Sequence, residues 1–89
     1  MAELIYQYPA PVRSADGVAY VAQVWGERDA GWHGWLVFIA ADGAILRTPR
    51  ETSHANRDAL AAWAVALRPA QLRGALARAV PPSAQLPAA

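Results

Sequence analysis

The sequence predicts an α+β fold in which a three-stranded antiparallel meander packs against one or two C-terminal helices. Up to residue 48, segments rich in β-branched and aromatic residues are separated by tight-turn dipeptides. From Thr52 onward, apolar residues recur at helical spacing instead. An apolar segment before residue 9 is compatible with an extra N-terminal strand.

Chain length and composition limit the protein to a single small domain. The chain has 89 residues, and 22 of its 49 apolar residues are alanine, so only 27 larger apolar side chains remain to build a core. These numbers exclude two domains, a repeat solenoid and a large enzyme with an enclosed active site. We expect one α+β domain over residues 1–80 and a disordered tail over 81–89, which holds three prolines and no charge.

The residue types that are missing exclude further classes of protein. The chain contains no cysteine, which excludes disulfides, thiolate metal sites and redox sensing. The N-terminal residues show no secretory signal pattern, and the longest unbroken apolar stretch, residues 59–67, is far shorter than the ~20 residues that span a bilayer. We therefore expect a cytoplasmic protein with no membrane partner.

Two segments in the first third of the chain predict strands. Leu4–Tyr8 is short and aromatic, and two prolines follow it closely, which is typical of an edge strand or an ordered arm. Val18–Arg28 follows the turn pair Asp16-Gly17 and is too rich in β-branched and aromatic residues to favour a helix.

The most strand-like segment, Trp32–Ala40, begins a predicted hairpin. It precedes Asp42-Gly43, a dipeptide that favours a two-residue type I′ turn because both positions tolerate a positive φ. The returning strand is expected over Ala44–Thr48, and Pro49 ends it because proline cannot donate a ladder hydrogen bond.

The last third of the chain predicts two helices. Ser53 or Asn56 is the candidate N-cap of the first. The pair Arg68-Pro69 interrupts this helix, and residues 69–79 predict a second, which Gly74 weakens by up to ~1 kcal/mol relative to alanine. The apolar stripe of the first helix consists of Leu60, Trp63, Ala64 and Leu67.

The turns also predict which side chains share a face of the sheet. A two-residue turn at Asp42-Gly43 pairs Ile39 with Leu46, and a three-residue loop at 29–31 pairs Trp25 with Trp35. A bulge at a glycine, Gly26 or Gly34, would reverse part of this assignment. The first predicted face carries Tyr20, Ala22, Val24, Trp32, Leu36, Phe38, Ala40, Ile45 and Arg47. The second carries Val21, Gln23, Trp25, Trp35, Val37, Ile39, Leu46 and Thr48.

The apolar character of both faces is the strongest indication of function. An antiparallel sheet usually has one solvated face, and one helix covers only one face. We expect the first helix to cover the face of Leu36 and Phe38, and a second copy of the chain or another protein to cover the other; the second helix and the termini are the alternative cover. The leading hypothesis is therefore a non-enzymatic interaction domain that forms a homodimer. Its interface candidates are Trp25, Trp35, Val37, Ile39 and Leu46.

No residue pattern predicts catalysis, a metal site or a cofactor. The two histidines, His33 and His54, lack the three or four convergent ligands that a metal needs. Ser53, His54 and Asp58 offer the residue types of a catalytic triad, but adjacent side chains project in different directions, and we expect helix capping from this cluster instead.

The arginines suggest a second hypothesis, in which an Arg-rich surface binds nucleic acid. Residues 1–43 hold two arginines and five acids, giving −3, whereas residues 44–89 hold six arginines and two acids, giving +4. Such charge complementarity between the two halves steers self-association or attracts an anionic partner. Phosphate neutralisation would use the cluster at the strand-to-helix transition, which consists of Arg47, Arg50 and Arg57.

Two sequence segments carry a resemblance to a known family. The stretch from Thr48 to Ala64, T-P-R-E-T-S-H-A-N-R-D-A-L-A-A-W-A, leads from the last strand into the helix, and V-P-P-S follows the helices at residues 80–83. With three antiparallel strands before them, these segments resemble the HicB-like antitoxin domain over about residues 18–83. The resemblance implies a β-β-β-α unit with a partial ribonuclease-H-like topology that associates with itself and covers a small toxin. Short bacterial β-β-β-α proteins of unassigned function are similar at Trp32–Phe38, at Leu46-Arg47-Thr48 and at Trp63.

Overall fold

The computed structural model describes residues 1–82, which form an antiparallel sheet of six strands and two helices. The α+β prediction is confirmed at this level. The predicted disordered tail begins at Pro81, and its residues from 83 onward lie outside the described residues. The elements are β1 (Ala2–Gln7), β2 (Val12–Arg13), β3 (Ala19–Arg28), β4 (Trp32–Ala40), β5 (Ile45–Arg47), β6 (Thr52–His54), α1 (Arg57–Ala66) and α2 (Pro69–Arg78).

The sheet has four strand positions, and both outer positions are occupied by interrupted strands. The order is β1-β3-β4-β5, with β2 continuing along β3 and β6 continuing along β4. Pro9 and Pro11 separate β1 from β2, and Pro49 separates β5 from β6, because proline cannot donate a ladder hydrogen bond. Thr48 bridges the second gap: its backbone N–H donates to Leu36 O at 3.0 Å, and its Oγ1 accepts from Leu36 N at 3.0 Å. The possible extra N-terminal strand is present as β1, whereas β2 and β6 are strands that the sequence did not indicate.

The pairing of β3 with β4 is the one that the sequence predicts. The loop at residues 29–31 has three residues, Arg28 lies opposite Trp32, and Trp25 lies opposite Trp35. The register continues unbroken through Gly26 and Gly34, which pair with each other, so a bulge at either glycine is not found.

The pairing of β4 with β5 corrects the predicted register by one residue. The Ala40 N–H donates to Ala44 O at 2.9 Å and the Gly43 N–H donates to Ala40 O at 2.9 Å, which closes a three-residue loop with Gly43 at φ +90°. Phe38 therefore lies opposite Leu46, and Ile39 lies opposite Ile45. Since a shift of one residue exchanges the faces, Leu46 joins the face of Phe38, while Ile45 and Arg47 move to the other.

Both helices start at residues that the sequence indicated. Of the two candidate N-caps, Asn56 is the one used, since its Oδ1 accepts from Ala59 N at 2.8 Å; Ser53 lies in β6. The Arg68-Pro69 break separates the helices, and the Gln71 side chain accepts from Arg68 N at 2.8 Å at the start of α2. Neither helix within residues 1–82 is long and apolar enough to cross a membrane.

The core lies between the helices and one face of the sheet, which is the face predicted for the first helix. The tightest approach involves Leu60, which is fully buried above the cross-strand pair of Gly26 and Gly34. A Cβ on either glycine would lie 2.6 Å from a Leu60 methyl group, so the missing side chains leave the depression that Leu60 fills. The buried cluster consists of Tyr8, Val12, Ala22, Val24, Leu36, Phe38, Leu60, Ala64, Leu72, Ala75 and Leu76.

Candidate interaction surface

The second face of the sheet has no helix packed on it among residues 1–82, because α1 and α2 both contribute to the core on the opposite face. We call this second surface the open face. Its side chains form rows across the strands, since paired residues of an antiparallel sheet share a face. The three main rows are Leu4, Trp25 and Trp35; Gln7, Gln23, Val37 and Arg47; and Val21, Ile39 and Ile45. A fourth row at the loop end holds Ala2, Glu27, His33 and Ser53.

Three large apolar side chains of the open face are exposed. Leu4 is 42% exposed, Val21 is 40% exposed and Ile45 is 45% exposed. Leu4 lies in one row, while Val21 and Ile45 lie in another, and the row between them holds Val37 together with polar side chains. Exposed large apolar side chains grouped on one face, with polar residues among them, are typical of a surface that binds a partner.

The centre of the open face is organised around Trp35. This side chain is only 6% exposed, although no helix within residues 1–82 covers it. The Arg47 guanidinium lies 4.8 Å from the centroid of its ring, and Trp25 is its cross-strand neighbour. Trp25 is held in turn, because its Nε1–H donates to Gln23 Oε1 at 2.8 Å. The middle of the face is thus a packed surface and not a set of loose side chains.

The side-chain hydrogen bonds of the open face continue from Trp25 and Gln23 to Gln7 at the sheet edge. The Gln23 Nε2 group donates to Gln7 Oε1 at 2.8 Å, which links β3 to β1 on this face. The register of β1 shifts between Leu4 and Tyr6, where Ile5 is the extra residue. Because of this shift, Leu4 lies on the open face while Ile5 and Tyr6 pack against the core.

Four of the five predicted interface candidates lie together on the open face. They are Trp25, Trp35, Val37 and Ile39. Leu46 does not, because the corrected hairpin register directs it into the core, and Ile45 and Arg47 take its place. Leu4 was missed because a bulge within six residues leaves no regular alternation in the sequence.

The three arginines proposed for nucleic acid do not share one surface. Arg47 stacks on Trp35 on the open face, whereas Arg57 is in α1 on the other side of the sheet. Arg57 Nε lies 3.3 Å from Glu3 Oε2, and Arg50 Nη2 lies 3.6 Å from Asp29 Oδ2. Two of the three guanidinium groups therefore face a carboxylate, which competes with a phosphate.

The residues of the apparent triad are also separated by the sheet. Ser53 and His54 are neighbours in β6, so they lie on opposite faces, and neither caps α1. Thr52 Oγ1 and His54 Nε2 are 2.8 Å apart, while Ser53 Oγ lies 2.7 Å from His33 Nδ1. His33 Nε2 donates to the carbonyl oxygen of Asp29 at 2.8 Å, since a carbonyl only accepts.

This Ser53 and His33 pair was not indicated by the sequence, where the two residues are 20 positions apart. In the neutral ring with the proton on His33 Nε2, Nδ1 accepts from the Ser53 hydroxyl, which is the orientation of a nucleophile and a base. The pair is exposed to solvent, however, whereas acyl transfer needs oxyanion donors in a water-excluded site. We therefore assign it the role of joining the 29–31 loop to β6. Among residues 1–82, no three His, Cys, Asp or Glu side chains converge as a metal site would require.

In comparisons with family models, with curated proteins and with solved structures, none matched the chain.

Proposed function

We propose that the protein is a non-enzymatic interaction domain and that a second copy of the chain binds its open face. The observation that carries the proposal is the one-sided placement of both helices, which leaves Leu4, Val21 and Ile45 exposed around an ordered tryptophan pair. Burying such a surface stabilises a complex by roughly 25 cal/mol per Å² before the costs of association.

The size of the open face fits a dimer of moderate affinity. β3 has 10 residues and the sheet has four strand positions, so the face measures ~33 Å by ~19 Å, or ~600 Å². Stable interfaces bury ~800 Å² per partner, and crystal contacts mostly bury less than ~400 Å² per partner. The open face lies between these two sizes, so we expect a dimer that dissociates reversibly.

The open face carries both an acidic and a basic residue, so the charges of one copy can complement those of a second copy. Glu27 lies in the row at the loop end, and Arg47 lies two rows away on the opposite side of the sheet. A two-fold axis between two stacked sheets brings Glu27 of each copy towards Arg47 of the other. This arrangement favours a second copy over a partner that carries only one sign of charge. The HicB-like resemblance, which implies self-association, agrees with this choice.

Sedimentation velocity on point variants tests the proposal. Ile45→Glu and Val21→Glu each place a carboxylate in the interface without a partner, so we expect each to weaken dimerisation at least tenfold. Val65→Glu is the matched control, because Val65 is 62% exposed on α1 and lies away from the open face. Circular dichroism verifies that each variant is folded.

The competing result is equally clear. A dimer that persists in both open-face variants but is lost in Val65→Glu would place the interface on the helices and contradict the proposal. Added salt separates the nucleic-acid alternative, because phosphate binding weakens steeply with salt, whereas apolar self-association persists.

A chain that ends at Pro82 tests residues 83–89 as a competing cover. Val80 pairs with Arg47 at the edge of β5. We expect the shortened chain to dimerise as the full chain does. If only the shortened chain dimerised, residues 83–89 would be the cover and the proposal would be wrong.

A further inference from the structure

A cleft of about 310 Å³ lies between α1 and α2 on the helix side of the sheet. Its deepest lining residues are apolar, since Leu36 is 2% exposed and Ala75 is 3% exposed. Trp63 of α1 and Leu67, the C-cap of that helix, form one wall. The volume lies at the lower end of the range of small-molecule sites, so the cleft has room for a small ligand with an apolar part.

The wall that α2 contributes is open at Gly74. A Cβ on Gly74 would have one neighbour within 4 Å, which is Arg78 Nη1 at 3.7 Å. The two residues are one helical turn apart, so the Arg78 side chain lies back along α2 and over the glycine. The missing side chain of Gly74 therefore leaves room for a guanidinium group beside the helix.

Glu51 and Arg78 are the charged residues of the lining, and they form an ion pair with each other. Arg78 Nη2 donates to Glu51 Oε1, which joins α2 to the segment between β5 and β6. The two side chains differ in depth, because that of Glu51 is 19% exposed whereas that of Arg78 is 57% exposed. The carboxylate thus belongs to the interior of the cleft, and the guanidinium reaches it from the solvent side.

The contact with Arg78 shows that a planar cation fits beside the Glu51 carboxylate. An ion pair with a largely exposed partner contributes little to stability, so replacing Arg78 costs little. Arg78 also lies in the last turn of α2, where a positive charge interacts favourably with the helix dipole even without Glu51. A half-buried carboxylate, in contrast, needs a cation beside it. These properties favour a cationic ligand over an anionic one.

We propose that this cleft binds a free small molecule that carries an amidinium or guanidinium group on an apolar body. The cationic group displaces Arg78 and donates to the Glu51 carboxylate, while the apolar body contacts Leu36, Trp63 and Leu67. Such planar cations form strong, charge-assisted hydrogen bonds with a carboxylate, often in pairs. The cleft is on the opposite side of the sheet from the open face, so binding does not depend on dimerisation.

An NMR titration of the ¹⁵N-labelled full chain with benzamidine tests the site. We expect saturable shifts of the backbone amides of Glu51, Gly74 and Ala75 and of the Trp63 indole N–H. Benzamide has nearly the same shape without the charge, so it should bind at least tenfold more weakly. Benzoate carries the opposite charge and should bind no more tightly than benzamide, because the Glu51 carboxylate repels it.

Two carboxylate variants identify the residue that holds the cation. Glu51→Gln should weaken benzamidine binding at least tenfold, because it removes the charge-assisted hydrogen bonds. Glu3→Gln is the matched control, since Glu3 forms an ion pair with Arg57 and does not line the cleft. It removes the same charge from the chain, and the affinity for benzamidine should be unchanged.

Arg78→Ala distinguishes a ligand site from an ion pair that only joins α2 to the sheet. Removal of the competing guanidinium should tighten benzamidine binding about two- to fivefold, the range of one exposed ion pair, whereas Arg57→Ala should have no effect. An affinity that Arg78→Ala lowers or leaves unchanged would overturn the proposal. So would equal affinity for benzamidine and benzamide, tighter binding of benzoate than of benzamidine, an equal loss in Glu3→Gln, or no saturable shift.

Discussion

Leu60 packs against the only part of the sheet where two facing residues, Gly26 and Gly34, have no side chains, within the described residues. The two glycines allow α1 to lie close to β3 and β4. The sequence marks both glycines as unusual within strands, and a bulge at either one was the alternative to the predicted register. A bulge and a close approach of another element both favour glycine, so the sequence alone does not separate them.

We predict that Gly34→Ala lowers the free energy of unfolding by ~1–3 kcal/mol. The new Cβ would lie 2.6 Å from Leu60 Cδ1 and 3.2 Å from Thr52 Cγ2, and a fully buried leucine has little space to move. Urea denaturation measures the change. Gly74→Ala is the control, since its Cβ meets only Arg78 Nη1 at 3.7 Å, and helix propensity predicts stabilisation by up to ~1 kcal/mol. Equal effects of the two substitutions would contradict the packing described.

At the scale of elements, the interrupted outer strands depend on single side chains that tie them to the rest of the fold. Tyr8 lies in the gap between β1 and β2, and its hydroxyl donates to the carbonyl oxygen of Ala64 in α1 at 2.5 Å. Its ring is buried and packs edge-on against Tyr6, with centroids 4.8 Å apart. Burial raises the pKa of Tyr8 well above its usual value, and the neighbouring Tyr6 adds to this effect.

The raised pKa of Tyr8 predicts a specific pH dependence. A folded-state pKa above the unfolded value of ~10 contributes stability that is fully present below pH ~10 and lost as the pH rises towards the folded value. Tyr8→Phe removes this hydrogen bond and should therefore lower the free energy of unfolding by ~1 kcal/mol at pH 8. The difference from the wild type should shrink above pH 10.

Urea titrations at pH 8 and pH 11 provide the measurement for Tyr8→Phe. Tyr20→Phe serves as the control, because the Tyr20 hydroxyl forms no hydrogen bond within residues 1–82 and is half-buried. A difference for Tyr8→Phe that stays constant between the two pH values would contradict this account of the buried hydroxyl.

The element-scale predictions from sequence succeeded where a pattern was long and failed where it was short. β3 and β4 span 10 and 9 residues, so their alternation and the glycine loop between them were enough to predict the register and the faces. Asp42-Gly43 suits both a two-residue turn and a three-residue loop, because each needs a glycine with positive φ at that end. β2 and β6 have two and three residues, too few for any periodicity to emerge.

At the scale of the whole molecule, the opposite charges of the two halves of the sequence form ion pairs with each other within the chain. Two of the three ion pairs within residues 1–82 join an arginine of the second half to an acid of the first, namely Arg57 to Glu3 and Arg50 to Asp29. Such exposed pairs contribute only ~0–1 kcal/mol each to stability. They nevertheless leave the surface less basic than the sequence suggests, which weakens the case for a nucleic-acid surface.

The distribution of the larger apolar residues between the layers could be predicted from sequence better than the individual contacts could. The helices cover one face, and β3 and β4 alone place Val21, Trp25, Trp35, Val37 and Ile39 on the other. The sequence could not show that Arg47 covers part of Trp35 or that Leu4 extends the face, because both depend on register shifts. The apolar surface that remains exposed is the basis of the proposed dimer.

Sedimentation equilibrium of the full chain between about 5 and 200 µM tests this proposal most directly. We expect the weight-average mass to rise with concentration from that of a single 9.5 kDa chain towards twice that value, and to do so at both low and high salt. A mass that stays at 9.5 kDa over the whole range would contradict self-association through the open face.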